Sequence, residues 1–332
     1  MKKNITVIGD GGWGTALAVL LCGNGHNVKL WGAFPDQIEK TAKLRRNENY
    51  LPGVQIPEAI SLVHDTSVAS DGVDLAVMAV PTNFATATLE KFAGLIPKTC
   101  VVVSVSKGFD PATKSRMSVL TSDILGVNSV CALSGPSHAE EFAIGMPTAV
   151  VVACPDHEIA MAVQAVFMNA KFRVYSSCDI VGVELGGALK NVIALAAGMS
   201  DGLGLGDNSK AALITRGLAE ITRLGSALGA DPATFAGLSG MGDLIVTCAS
   251  RHSRNRSVGE RLGRGETIEQ IVGDMKQVAE GVSNASIAKS LADGNEVEAP
   301  ITEEMCAIIK EHKSPVHAME SLLTRDAKPE KD

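Results

Sequence analysis

Two clusters carry side chains able to move protons or grip anions. The first is Glu184-Leu185-Gly186-Gly187-Ala188-Leu189-Lys190-Asn191, in which Lys190 stands in an otherwise apolar, small-residue stretch. Gly186 and Gly187 lie about one helical turn before it, and glycine costs a helix about 1 kcal/mol relative to alanine. The expected return is clearance for a ligand beside Lys190. Burial would lower the ammonium's pKa and make it a usable acid and base; a lysine snorkelling from a packed helix is the alternative. The second cluster runs Ser239-Gly240-Met241-Gly242-Asp243-Leu244 and then Ser250-Arg251-His252-Ser253-Arg254-Asn255-Arg256. Arginine forks bind phosphate bidentately, and Ser253 and Asn255 would complete the donors. A solvated basic loop explains the cluster equally well. Asp243 is suited to orient Lys190, to accept a substrate hydroxyl, or simply to cap a helix or turn. Ser257 with Glu260 offers a cap position for the helix that follows.

A third signal binds rather than reacts. Gly9, Gly11 and Gly14 form G-x-G-x-x-G within Val7-Ile8-Gly9-Asp10-Gly11-Gly12-Trp13-Gly14. Such glycines give a tight turn, let backbone approach a pyrophosphate, and pack a helix closely on a strand. The exposed N–H groups at the helix start attract phosphate. An apolar strand precedes the motif, an apolar helix follows, and a second strand comes next, which is the context a dinucleotide site requires. Gly9, Gly11, Gly12, Trp13 and Gly14 are the expected cofactor contacts. The second strand ends Trp31-Gly32-Ala33-Phe34 without the acid that selects NAD, Asp36 coming late, and without an arginine clamp for a 2′-phosphate. NAD and NADP both remain open. Lys107, at a strand end before Gly108, is placed for a phosphate or an oxyanion, and Ser134-Gly135-Pro136-Ser137 also follows a strand. Ser137 with Glu140 has the pattern of a capping box.

The elements that must position these groups are legible as runs. Near-continuous apolar segments at Ile5–Ile8, Val28–Trp31, Leu75–Val80, Cys100–Val105, Val130–Leu133, Ala149–Ala153 and Phe172–Tyr175 read as strands covered on both faces. Helical stretches between them imply a doubly wound, mainly parallel Rossmann-like sheet. After about residue 180 strand-like runs cease. Helices are expected at 180–199, from 207–209 to 228, from Pro232, and near 254–263, 283–293, 301–312 and 315–323. The fold class is α/β: a dinucleotide-binding domain over 1–180, then an all-α domain over 181–332.

Composition narrows the partners. The chain has 332 residues and a formal net charge of −7, so no general basic field exists for nucleic acid or an anionic membrane. Its seven cysteines are scattered, with no C-x-x-C, and read as buried free thiols in a reducing compartment. No apolar stretch reaches the roughly 20 residues of a membrane span, and no His/Cys cluster suggests a metal. A cytoplasmic location is expected.

In order along the chain, Gly9–Gly14, Asn47 with Tyr50-Leu51-Pro52-Gly53, Lys107-Gly108, Ser134-Gly135-Pro136-Ser137, Leu189-Lys190-Asn191-Val192, Gly242-Asp243-Leu244 and Ser253-Arg254-Asn255 resemble the bacterial NAD(P)-dependent glycerol-3-phosphate dehydrogenases. That resemblance implies interconversion of dihydroxyacetone phosphate and sn-glycerol 3-phosphate, which supplies phospholipid synthesis, by a cytoplasmic homodimer. It implies Lys190 as the proton donor and acceptor. Lys107, Gly135, Ser137, Asp243, Ser253, Arg254 and Asn255 would contact substrate, with Thr247 nearby. Lys107, Ala139, Arg254, Val278 and Glu280 would join the glycines at the cofactor. Gly12 stands where many relatives carry Ser. Two other readings of the residues are a 3-hydroxy-acid dehydrogenase, which has no need of the arginine cluster, and a dinucleotide sensor without turnover, which has no need of Lys190.

Overall fold

The computed structural model describes residues 2–275, 278–327 and 329–330. Ten strands lie in the first half: β1 (Asn4–Ile8), β2 (Asn27–Trp31), β3 (Arg46–Asn47), β4 (Leu51–Gln55), β5 (Ser61–Val63), β6 (Leu75–Met78), β7 (Val101–Ser104), β8 (Ser129–Ser134), β9 (Thr148–Ala153) and β10 (Phe172–Ser177). Eight of them form one sheet in the order β10-β9-β8-β7-β6-β1-β2-β5, and β3 with β4 makes a separate hairpin. All seven expected strands are in the large sheet. The pairings are parallel except β8 with β9, so β9 and β10 run against the rest.

Helices of the same half are α1 (Gly12–Gly23), α2 (Pro35–Leu44), α3 (Thr66–Ser70), α4 (Ala85–Phe92), α5 (Met117–Leu125), α6 (Ala139–Ala143) and α7 (His157–Phe167). They cover both faces of the sheet. Ile5, Val7, Leu17, Leu21, Val103 and Phe172 fill one side, while Ile8, Trp31, Met78, Leu89 and Phe92 fill the other. Strand order reverses at β1, which lies between β2 and β6. Open sheets of this kind bind ligands beyond the strand C-termini at such a reversal.

The second half is helical: α8 (Ile180–Gly202), α9 (Gly206–Ala227), α10 (Pro232–Phe235), a π-helical turn at Leu238–Gly242, α11 (Asp243–Ala249), α12 (Arg254–Gly263), α13 (Ile268–Asp274), α14 (Glu280–Gly294), α15 (Pro300–Glu311) and α16 (Pro315–Leu323). Asp179 starts α8 by accepting from the Gly182 N–H at 2.8 Å. Helix α8 is the axis of this half, buried from Leu185 to Ser200. It crosses α12 through glycines: a Cβ added at Gly198 would lie 1.9 Å from the Arg256 carbonyl oxygen, and one at Gly259 1.9 Å from that of Leu195. Only bare Cα positions let two helices approach this closely.

Four expectations need correction. Helix α8 is long and apolar enough to cross a membrane, contrary to the reading of no such run, but 89% of its apolar window is buried inside the protein. All seven cysteines are free, yet Cys178 is exposed and Cys22 half-buried. Ser137 and Glu140 form no capping box: the residue before α6 is His138, with no side-chain cap, and the Ser137 oxygen accepts from Lys107 Nζ while its proton goes to the Gly135 carbonyl. The cap of α12 is Ser253, which accepts from the Arg256 N–H at 3.2 Å, and Ser257 lies inside the helix.

Candidate active site

Lys190 projects from the middle of α8 and is 5% exposed. Its Nζ donates to Asp243 Oδ1 at 2.6 Å and to Thr247 Oγ1 at 2.7 Å. Asp243 opens α11 and is 1% exposed. Its other oxygen, Oδ2, accepts from Lys107 Nζ at 2.8 Å. One carboxylate therefore bridges two ammonium groups, one from each half of the chain. Lys107 also donates to the Gly135 carbonyl at 2.8 Å and to Ser137 Oγ at 3.0 Å, which uses all three of its protons. Lys190 spends two of its three on the partners described, leaving one for a ligand.

Electrostatics follow from this geometry. Burial pushes the Lys190 ammonium down to about 8; the Lys107 charge adds to that fall and Asp243 opposes it. Burial alone would raise the Asp243 carboxyl, but Lys107 and Lys190 outweigh it and hold the group below the usual carboxylate range. His138 is also lowered, first by burial and then by the charges of Lys190 and Lys107. Its Nε2 is buried without a partner among the described residues, and its ring lies 5.9 Å from that of His252.

The second cluster sits beside the first. Asn191 Nδ2 donates to the Lys107 carbonyl at 3.1 Å, Asn255 Nδ2 donates to Asn191 Oδ1 at 2.9 Å, and the Gly281 N–H donates to Asn255 Oδ1 at 2.9 Å. This amide chain ties the starts of α12 and α14 to α8, one residue from Lys190. Asn255 is thus held by protein on both sides of its amide. Arg254 is exposed as a residue and makes no hydrogen bond or ion pair among the described residues; burial around its guanidinium pulls that group below its ordinary value, and the Glu280 and Glu140 carboxylates oppose the fall. Arg256 does not join it: its guanidinium pairs with Asp201 at 2.6 Å. Arg251 is exposed like Arg254, whereas Arg256 is half-buried.

The glycines before Lys190 serve a different purpose from the one expected. A Cβ at Gly186 would fall 2.6 Å from the Ser239 carbonyl oxygen, and one at Gly187 2.8 Å from Ser134 Oγ and 3.4 Å from Lys107 Cγ. They make room for the π-helical turn and for Lys107, and so seat Asp243 and Lys107 against Lys190.

At the β1–α1 turn, a Cβ at Gly9 would lie 2.6 Å from the Ala79 carbonyl oxygen, with φ at +116°, and one at Gly14 would lie 2.0 Å from the Gly9 carbonyl oxygen. Gly11 is different: nothing lies within 4 Å of where its side chain would be. No side chain caps α1, so the first N–H groups of the helix point into that opening. An open Cα beside unpaired donors is the cradle a pyrophosphate requires, and the residues fit a dinucleotide. A Cβ at Gly12 would lie 3.7 Å from Ala139 Cβ but 2.7 Å from the Tyr50 carbonyl oxygen, which explains glycine there. Trp13 offers backbone only on this side, since its ring packs edge-on against Phe142, centroids 5.3 Å apart. Glu280, the first residue of α14, accepts from the Thr82 N–H at 3.0 Å and from the Thr82 hydroxyl, and its carboxyl is raised by burial. Val278 is half-buried two residues earlier.

Sequence reading passed over His138 and Asn191 as site residues. Their signal was position alone: each adjoins a residue already singled out. Among the described residues no group of three His, Cys, Asp or Glu is placed to hold a metal.

Comparison with known proteins agrees with this geometry. The profile described as the N-terminus of NAD-dependent glycerol-3-phosphate dehydrogenase matches residues 4–160, and that described as its C-terminus matches residues 179–320. The glycerol-3-phosphate dehydrogenase [NAD(P)+] of Geobacillus kaustophilus is 50% identical over 99% of this chain and 97% of its own length. That of Prosthecochloris aestuarii is 46% identical over 98% of this chain and 99% of its own. The crystal structure of glycerol-3-phosphate dehydrogenase from Coxiella burnetii superposes with a TM-score of 0.94 at 35% identity, covering 98% of this chain and 99% of that one.

Proposed function

The chain belongs to the NAD-dependent glycerol-3-phosphate dehydrogenase family, and from that premise we propose how its own residues interconvert dihydroxyacetone phosphate and sn-glycerol 3-phosphate. NAD or NADP, when bound over Gly9, Gly11, Gly12, Trp13 and Gly14, supplies the hydride in one direction and accepts it in the other. As hydride reaches the ketone carbon, negative charge grows on its oxygen. The third Nζ–H of Lys190 stabilises that charge and then gives up its proton; in the reverse direction the amine takes it back. An ammonium pushed down to about 8 serves both directions near neutrality.

Asp243 orients Lys190 and keeps its charge tolerable in the buried site. Lys107 has every proton engaged, so it meets a ligand by exchanging Ser137 or Gly135 for a substrate or cofactor oxygen. Arg254, with the N–H groups after Ser253 at the start of α12, grips the substrate phosphate and fixes which face of the ketone meets the hydride. Asn255 acts on substrate through its backbone, because its amide is occupied by Asn191 and Gly281. Ala139, Val278 and Glu280 border the cofactor. A division into a dinucleotide-binding domain over 1–180 and a helical domain over 181–332 is supported by the end of β10 at Ser177 and the start of α8 at Ile180. A cytoplasmic homodimer feeding phospholipid synthesis is the working form, the free cysteines supporting a reducing compartment.

The observation that carries the reading is the buried Lys190 ammonium with one uncommitted proton, facing the arginine-bearing start of α12 across the Asn191–Asn255 bond. Dihydroxyacetone phosphate with NADH or NADPH should give turnover, followed by nucleotide absorbance. Lys190→Ala should lose roughly a hundredfold or more of it while binding NADH as before. Near-normal turnover in that variant would refute the assigned role.

A further inference from the structure

Asp10 is the one titratable residue inside the glycine fingerprint, and neither the chemistry above nor the fingerprint accounts for it. It is 8% exposed. A Cβ added at Gly32 would sit 2.6 Å from Asp10 Cγ and 2.8 Å from Oδ2, so the carboxylate lies directly against the end of β2. Gln37, in the first turns of α2, donates its amide to Oδ2 at 2.8 Å. The Asp10 carbonyl accepts from Asn47 Nδ2 at 2.6 Å, which fixes the backbone from which the side chain projects.

In dinucleotide-binding folds the group that reads the ribose 2′-position is an acid at the end of the second strand. Here that strand ends Trp31-Gly32-Ala33-Phe34 and has none. The missing side chain of Gly32 is what leaves room for Asp10. A carboxylate therefore stands at the expected place in space, but it is carried by the β1–α1 turn instead of by β2. Of the basic residues of the following segment, Lys40 pairs with Glu48, Arg45 with Glu58, and Arg46 bonds Gln55, while Lys43 is exposed in the last turn of α2; none of them acts on the Asp10 carboxylate.

We propose that the Asp10 carboxylate, seated over Gly32 and held by Gln37, reads the ribose 2′-position of the bound dinucleotide and makes this chain select NAD(H) over NADP(H). The inference rests on the glycine turn being the cofactor site. A 2′-hydroxyl donates to the carboxylate. A 2′-phosphate would bring about −1.5 to −2 charges against it, and no cation among the described residues acts on that carboxylate.

The test is equilibrium binding of NADH and NADPH, by titration of nucleotide fluorescence, to the full chain and to Asp10→Ala and Asp10→Asn. Turnover with dihydroxyacetone phosphate is measured in parallel. The unaltered protein should bind NADH more tightly. In both variants NADH should weaken and NADPH strengthen, shrinking the preference by roughly tenfold or more, while the KM for dihydroxyacetone phosphate holds. Asp10→Asn keeps shape and can keep a bond to Gln37, so it isolates the charge and decides the matter should the alanine variant fail to fold. Equal binding of both nucleotides by the unaltered protein overturns the proposal, as does a ratio that stays within about twofold in Asp10→Asn. A protein that binds neither nucleotide removes the cofactor site itself, and the Asp10 proposal with it.

Discussion

Replacing Asp243 by asparagine isolates the electrostatic control of Lys190. In the native site, burial and the Lys107 charge pull the Lys190 ammonium down, Asp243 pulls it up, and the outcome is about 8. Asparagine preserves shape but leaves two ammonium groups facing a neutral amide. Breaking a buried ion pair costs about 3–5 kcal/mol. The site relieves much of that by releasing a proton from Lys190, and at about 1.4 kcal/mol per unit this moves its pKa down by on the order of two units. At pH 7 the donor would change from about nine-tenths ammonium to about one-tenth. The assay is kcat/KM for dihydroxyacetone phosphate reduction from about pH 5 to 10 at saturating nucleotide. Unaltered protein should lose reduction above about pH 8, where the ammonium deprotonates. In Asp243→Asn the same falling limb should appear about two units lower. The position of the limb is the readout, because its height also changes with any loss of alignment. A limb that stays near pH 8, or moves upward, would refute the claim that Asp243 sustains the Lys190 charge.

Three further outcomes follow from the same geometry. Arg254→Ala should raise the KM for dihydroxyacetone phosphate by roughly tenfold or more, the worth of a charge-assisted contact, and leave turnover of phosphate-free dihydroxyacetone unchanged; equal loss on both substrates would contradict the phosphate assignment. Gly11→Ala should keep its melting temperature, since nothing lies within 4 Å of the new Cβ, yet weaken NADH binding, whereas Gly14→Ala, with its Cβ 2.0 Å from the Gly9 carbonyl oxygen, should lower the melting temperature itself. Lys190→Met should change how stability varies with pH. Lysine with a lowered folded pKa binds fewer protons folded than unfolded between about 8 and 10.5. Its contribution therefore rises with pH through that window, by about 3 kcal/mol in all. Denaturant unfolding of the methionine variant, compared with the unaltered chain, should lack that rise; parallel curves for the two proteins would show that Lys190 is not held in a depressed state.

The sheet was legible because its strands are apolar on both faces, and such runs announce themselves without alternation. Strand β5 escaped because Ser61–Val63 is three residues long, and the β3–β4 hairpin because Pro52 and Gly53 interrupt its second strand. The antiparallel pairing of β8 with β9 was beyond reach for another reason: local patterns fix a strand's existence but not its direction. Lys190 and Arg254 stood out by charge in an unexpected background and Lys107 by its place at a strand end, and Lys190, Lys107 and Asp243 come together in one ion-paired cluster. The argument from charge over-read Arg256, whose partner Asp201 lies 55 residues away in sequence. The capping box at Ser137 failed for the same kind of reason, its hydroxyl being claimed by a tertiary partner, Lys107.

The misreading of Gly186 and Gly187 explains how the fold makes its acid. Helix α8 is apolar and small-sided along most of its length because other helices close on it, and that enclosure is what gives it the composition of a membrane span. The same enclosure strips water from Lys190 and depresses its ammonium. An ammonium so placed would be expelled or neutralised without a counter-charge delivered just as closely. Gly186 permits the Ser239–Gly240 backbone to reach the helix surface, and the turn that begins there ends at Asp243. Gly187 permits Lys107 and Ser134 to do so from the sheet side. The two glycines leave no empty space for a ligand, and their contribution to chemistry runs through the residues they admit. One glycine brings the carboxylate that keeps Lys190 charged, and the other brings the second ammonium that keeps its pKa low enough to exchange a proton near neutrality.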